Sequence, residues 1–295
     1  MAGFIDDSVE AAKHGFSWLQ DGPAVKNAML FLGVMVGFLF VFVGGFMLAF
    51  GVSLLSGVAS PSAALAFGLG AVLFALVMVV LFALAFGFVT LMIVSRAFEL
   101  AGLKPFAVSP MLVVRYFLLT MFTGLLAFFG GYDNRLRLLV AAVVVSGILG
   151  LVNPAFFVLA LLLLIPYVIA VVYCAVRLSM SQFIFFEKGL GIREATRQAW
   201  DLTGGIVVRL GARTATTGIL VAVLLMVVFF IPTYIISLFA SPTGSMAGQG
   251  VYMLWQALTN IFQTVCSLFA ITYVYLIFRS WRPEVFAAPK PPAPV

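Results

Sequence analysis

The sequence predicts an all-α fold, a polytopic membrane helix bundle of about six transmembrane helices with an N-terminal amphipathic helix and a cytoplasmic interfacial helix. Charge-free length is the first reason. Between Lys26 and Arg96 there is no Asp, Glu, Lys, Arg or His, and the same is true between Arg213 and Arg279. A helix crosses the hydrocarbon with about 20 apolar residues, so each stretch holds two spans and a turn. Composition is the second reason: 64% of residues are hydrophobic and 9% charged, at a mean hydropathy of +1.22. A water-soluble domain carries about 25% charged residues, so that class is excluded.

Residues 1–26 form the N-terminal segment. Phe4, Ile5, Ala11, Ala12, Phe16 and Leu19 oppose Asp6, Asp7, Glu10 and Lys13, the pattern of an interfacial helix. Acidic residues stand where a secretory signal carries positive charge, which argues against a cleaved leader. Spans are expected at 27–58 and 62–95 around Ser60-Pro61-Ser62, and a polar connection with Arg96, Glu99 and Lys104 ends at Pro110. A third span covers 111–129. The turn Gly130-Gly131-Tyr132-Asp133-Asn134 follows, then a short or re-entrant helix over 136–152. Asn153-Pro154 opens a fourth span, 154–176, and reads either as a turn or as a ligand site. The last spans, 214–240 and 250–278, flank Ser241-Pro242-Thr243-Gly244, and a Pro-rich tail occupies 281–295.

Lys and Arg are retained beside the cytoplasmic leaflet. Residues 177–213 hold Arg177, Lys188, Arg193, Arg197, Arg209 and Arg213, and the C-terminal end holds Arg279, Arg282 and Lys290. Both termini and 177–213 are therefore expected inside, with outer turns near Pro61, Asp133 and Pro242. This places Arg135 and Arg137 outside; a seven-span alternative makes 136–152 a full span and puts the N-terminus outside.

Within the spans, Gly33 with Gly37 and Ala83 with Gly87 are small-xxx-small pairs, read as packing within the fold. Gln256, Asn260, Gln263, Thr264 and Ser267 recur at three- and four-residue spacing on one face of the last span. Amides in hydrocarbon need partners. This intramembrane polar face is expected to bond to neighbouring helices or to line a site for a lipid headgroup or solute. Cys174 and Cys266 match no zinc or redox spacing and read as buried packing residues. His14, the only histidine, receives no role.

The stretch 187–205 is the richest in information. Over 191–203, Ile192, Ala195, Ala199 and Leu202 align on one face, opposite Arg193, Glu194, Arg197 and Asp201. An Arg197–Asp201 pair fits four-residue spacing, and Trp200 suits headgroup depth. The charged face is the candidate docking surface; the alternative is a solvated connector.

Arg177-Leu178-Ser179, then Glu187-Lys188-Gly189-Leu190-Gly191-Ile192-Arg193-Glu194-Ala195, then Ala199-Trp200-Asp201-Leu202-Thr203-Gly204-Gly205 resemble the membrane region of glycerophosphoryl diester phosphodiesterase and its stand-alone prokaryotic relatives. His14-Gly15-Phe16 and Tyr275 before Arg279 are also similar, so the likeness covers nearly the whole chain. Ala199 departs from the small hydroxyl residue usual before the Trp. The resemblance implies a six-helix membrane module, sometimes fused to a soluble phosphodiesterase. That catalytic domain has no counterpart here, and one His with ten acids cannot gather its metal-binding cluster. No catalytic, metal or cofactor residues are therefore assigned, and the chain is expected not to be an enzyme.

The expected function is a noncatalytic module of a prokaryotic cell membrane, binding partner proteins or lipids and supporting membrane or envelope homeostasis. A transporter or permease subunit with a polar path along the last span is the alternative. Arg193-Glu194-Ala195-Thr196 resembles the coupling helix of ABC permeases, although Trp200 stands where that helix has Gly. An intramembrane enzyme is the third class.

Overall fold

The computed structural model describes residues 2–59, 61–239 and 246–286. Among these, all regular structure is helical: α1 (Ala2–Phe16), α2 (Gly22–Ala59), α3 (Pro61–Leu100), α4 (Pro110–Phe128), α5 (Asn134–Gly150), α6 (Pro154–Leu178), α7 (Ser181–Lys188), α8 (Ile192–Thr203), α9 (Val207–Phe239), α10 (Met246–Ser280) and α11 (Pro283–Phe286). Six helical segments are long and apolar enough to cross a membrane. The predicted turns at Ser60 and at 241–244, and the tail from 287, lie outside the described residues.

The chain divides into two compact units. One comprises Ala12–Val113 and Gly218–Ala270. Here α2 and α3 pair through rings such as Phe31 on Phe86, with centroids 4.7 Å apart. Asp21 starts α2 by accepting the Ala24 backbone N–H at 2.9 Å, and Arg96 donates to the same carboxylate at 2.7 Å. The connection after α3 is held by Ser95 Oγ, which donates to Phe106 O at 2.8 Å. The core joins Trp18, Phe31, Ile93, Leu225, Val265 and Phe269. Both cysteines are buried, and Cys266 accepts a 3.3 Å bond from Trp18 Nε1.

The N-terminal segment is helical over Ala2–Phe16, and its expected apolar face is buried in part. Ala11, Ala12 and Gly15 are buried, whereas Ile5 is 60% exposed and Leu19 is exposed. A Cβ at Gly15 would stand 3.0 Å from Cys266 O, so the missing side chain there lets this stretch seat closely, beside the buried Trp18. Gly87 is likewise packed, with its Cβ position 3.2 Å from Val113, as the small-residue pattern predicts. Gly33 and Gly37 are not: both are exposed and face no atom within 4 Å.

The other unit comprises Met1–Ala11, Val114–Thr217 and Ile271–Val295. Here α5 and α6 form a hairpin through a turn at 151–153, with Gly150 packed on Phe157 and Asn153 capping α6 through the Ala155 N–H at 3.0 Å. The dipeptide Asn153-Pro154 is thus a helix start. Leu151 is 87% exposed at the hairpin tip. α4 runs beside α7 and the last turns of α6: Tyr116 meets Phe186 with centroids 5.8 Å apart, Thr120 and Thr123 share a cavity of about 290 Å³ with Ser181 and Gln182, and Ala127 joins Cys174 and Leu178. The sequence α4 then α5 is therefore one broken arm, antiparallel to a second made of α6 and α7.

This corrects the expected middle hairpin. The turn at 130–134 was placed outside and 191–203 inside, yet Tyr132 Oη lies 2.9 Å from Thr196 Oγ1, and Arg137 donates to Gly131 O at 2.9 Å in the same corner. The turn and α8 are in contact, so they share one side. The middle arms reverse instead at 151–153, and Arg135 and Arg137 lie beside the turn that meets α8. Arg115, exposed within α4, is a charge that the expected third span did not account for.

Candidate functional site

The candidate site is α8 and the brace beneath it. Its ends are set by glycine. Gly189 closes α7 at φ +64°, a left-handed conformation that favours glycine, and Gly205 turns the chain after α8 at φ +79°. Glu194 accepts the Gly191 N–H at 3.4 Å, half of a capping box, since glycine has no side chain to return the bond.

The buried face consists of Ala195, Thr196, Ala199, Trp200 and Thr203, while Ile192 and Leu202 are half-buried. Trp200 is buried against the protein. The Arg177 guanidinium lies over its ring at 3.8 Å and donates to Trp200 O, and the Tyr132 ring meets its edge at 5.8 Å. Stacking a planar cation on indole while one of its N–H groups bonds a helix carbonyl fixes Arg177 in two directions. Thr203 Oγ1 donates to Ala199 O at 2.7 Å, and Arg177 O lies 3.1 Å from the same hydroxyl. Arg282 then donates to Leu202 O and Gly204 O, both at 3.2 Å, satisfying carbonyls at the end of α8 that no helix turn can reach.

A second brace holds the C-terminal end. Glu187 accepts the Tyr275 hydroxyl and pairs with Arg279 at 3.0 Å. Lys188 donates to Val285 O at 3.2 Å and lies 4.7 Å above the Phe286 ring. Arg213, almost fully buried, pairs with Asp7 and lies 4.8 Å from the Trp281 ring.

Against this frame, the expected charged face is where the periodicity placed it. Arg193, Glu194, Arg197 and Asp201 are exposed. Among the described residues the expected Arg197–Asp201 pair is absent, and Arg193, Arg197 and Asp201 make no ion pair. Glu194, Arg197 and Asp201 line an open depression of about 460 Å³ with Lys188, Leu190 and Gln198.

The amide face of α10 is less simple. Gln256 and Thr264 are half-buried, whereas Asn260, Gln263 and Ser267 are exposed, contrary to their expected bonding with neighbouring helices. Its buried counterpart is Ile261, Val265, Cys266, Phe269 and Ala270. Gln263 and Thr259 also border a groove of about 490 Å³ with Phe229, Thr233 and Ser237.

Sequence reasoning missed the brace itself. Arg177, Glu187, Trp200 and Thr203 belong to the motif quoted for the family resemblance, so the signal was present, but nothing in the spacing pairs Arg177 with Trp200 or Glu187 with Tyr275. Among the described residues no group of three or more His, Cys, Asp or Glu is placed to hold a metal ion. No protein-family model, no curated protein and no solved structure matches the chain.

Proposed function

We propose that the chain is a noncatalytic integral module of a prokaryotic cell membrane, with both termini cytoplasmic, that docks partner proteins or lipids on α8 and supports membrane or envelope homeostasis. In this reading it is a stand-alone relative of the membrane region of glycerophosphoryl diester phosphodiesterase. One observation carries the proposal. The buried motif residues are consumed in bracing α8, while Arg193, Arg197 and Asp201 are left exposed on a rigid helix without an ion pair. A helix that served only to connect two spans would not need an anchored indole, a stacked guanidinium and two Arg282 bonds beneath it. Preorganisation of this kind lowers the ordering cost of binding.

Reversing charge in the double variant Arg193→Glu and Arg197→Glu tests this. Membrane insertion and the thermal melt should match the wild type, because both side chains are exposed, while a protein or anionic lipid that copurifies with the wild type is lost. If the double variant keeps every wild-type ligand, α8 is a connector only.

The transporter alternative draws on the groove between α9 and α10, where Thr233, Ser237, Thr259 and Gln263 supply polar groups among apolar ones. Thr233 Oγ1 is already engaged by Trp255 Nε1 at 2.9 Å, which leaves fewer groups for a solute. Solute uptake into vesicles that is lost on Gln263→Leu would favour this alternative.

A further inference from the structure

We infer that the exposed polar edge of α10 is a self-association surface, on which two copies of this chain pair through Asn260, Gln263 and Ser267. The edge lies on the side of α10 away from its buried residues Ile261, Val265 and Phe269. Gln256, Asn260, Gln263 and Ser267 follow one another at intervals of four, three and four residues, which keeps them on a single stripe.

Local bonding accounts for part of the stripe. Gln256 Nε2 donates to Tyr252 Oη at 3.2 Å, and Thr264 Oγ1 donates to Asn260 O at 2.8 Å. The Asn260 and Gln263 amides and the Ser267 hydroxyl have no side-chain hydrogen bond among the described residues. Arg279 marks the charged end of the helix, and at 1.5 Å per residue Gln263 stands about 24 Å from it. That is within the apolar span, where hydrocarbon offers an amide no partner and the cost of leaving it unpaired is large.

The chemistry of the stripe selects its occupant. An amide carries a donor and an acceptor together, so a surface of Asn and Gln is complementary to itself, and a two-fold axis satisfies both copies at once. The four-three-four spacing is that of a left-handed helix pair crossing at about 20°. An anionic headgroup has no cation to meet here, since the stripe carries no charge.

The test uses the full chain in lipid nanodiscs and in native membranes. Met253, 58% exposed, continues the same stripe, and Met253→Cys should form an intermolecular disulfide under mild oxidation, whereas Leu162→Cys, exposed on α6, should not. By mass, the wild type should be two chains. Asn260→Leu with Gln263→Leu should shift it to one chain at an unchanged melting temperature, each lost amide weakening the dimer about fivefold. Asn260→Gln should keep the dimer, which separates hydrogen bonding from shape. A wild type that is monomeric at high protein-to-lipid ratio, a double variant that still dimerises, or a second protein species in place of the second copy would each overturn the inference.

Discussion

Gly131 tolerates no side chain. Its φ is +61°, and a Cβ would stand 2.3 Å from the Trp200 ring, so any substitution strains the backbone and displaces the indole that anchors α8. The left-handed conformation alone costs a residue with a Cβ about 1–2 kcal/mol, and Gly131→Ala should lose more than that in detergent melts. Gly124→Ala, where nothing lies within 4 Å, is the matched control and should not destabilise. Equal melts for the two variants would refute the tight fit at Trp200. Asp21 is governed by charge instead. The hydrogen bond from Arg96 holds its carboxyl below the usual aspartate range, so the folded state favours the carboxylate. The unfolded state then binds the proton more readily, and the stability from Asp21 is complete above the unfolded aspartate pKa of about 3.9 and drains as pH falls below it. Melts of the wild type should fall more steeply over that acid range than those of Asp21→Asn; parallel curves would remove Asp21 from the account.

At the scale of the element, long apolar helices were legible because charge-free length admits one solution in lipid, and α2, α3, α9 and α10 follow from it. The exposed half of α8 was legible for a related reason: a 3.6-residue period places Arg193, Arg197 and Asp201 together in any helix. Its buried half was legible in part, since Ala195 and Ala199 are enclosed as the period predicts. Periodicity ranks Ile192 and Leu202 as the apolar edge, but Thr196 and Thr203 are more deeply enclosed, because their hydroxyls find carbonyls of their own helix, Arg193 O at 3.0 Å and Ala199 O at 2.7 Å, and Thr196 also meets Tyr132. Hydropathy prices a threonine before its partners are known. The same limit applies to α10, where periodicity identified the amide stripe but could not say which way it faces. In the N-terminal segment Ala11 and Ala12 are buried as the apolar pattern predicts, whereas Gly15, which hydropathy does not mark, is what lets the helix approach Cys266 closely.

At the scale of the whole molecule, the middle arms reverse at 151–153 rather than at 130–134. Counting Lys and Arg finds the basic side but not which of two turns belongs to it, and Gly130-Gly131 looks as much like an outer loop as 151–153 does. The contact of Tyr132 with Thr196 decides between them. Single cysteines at 133 and 188 should therefore react with an impermeant reagent only after cells are opened, whereas cysteines at 152 and 244 should react in sealed cells. Labelling at 133 from outside would contradict the contact between that turn and α8. The brace beneath α8 also separates support from contact. Arg177 and Trp200 beneath the helix and Arg282 at its end hold α8 at a fixed place, so its seat does not depend on what its outer face carries. Arg193, Arg197 and Asp201, exposed on that outer face, can then be exchanged without loosening the seat, and a change of charge there alters what the helix meets rather than where it stands.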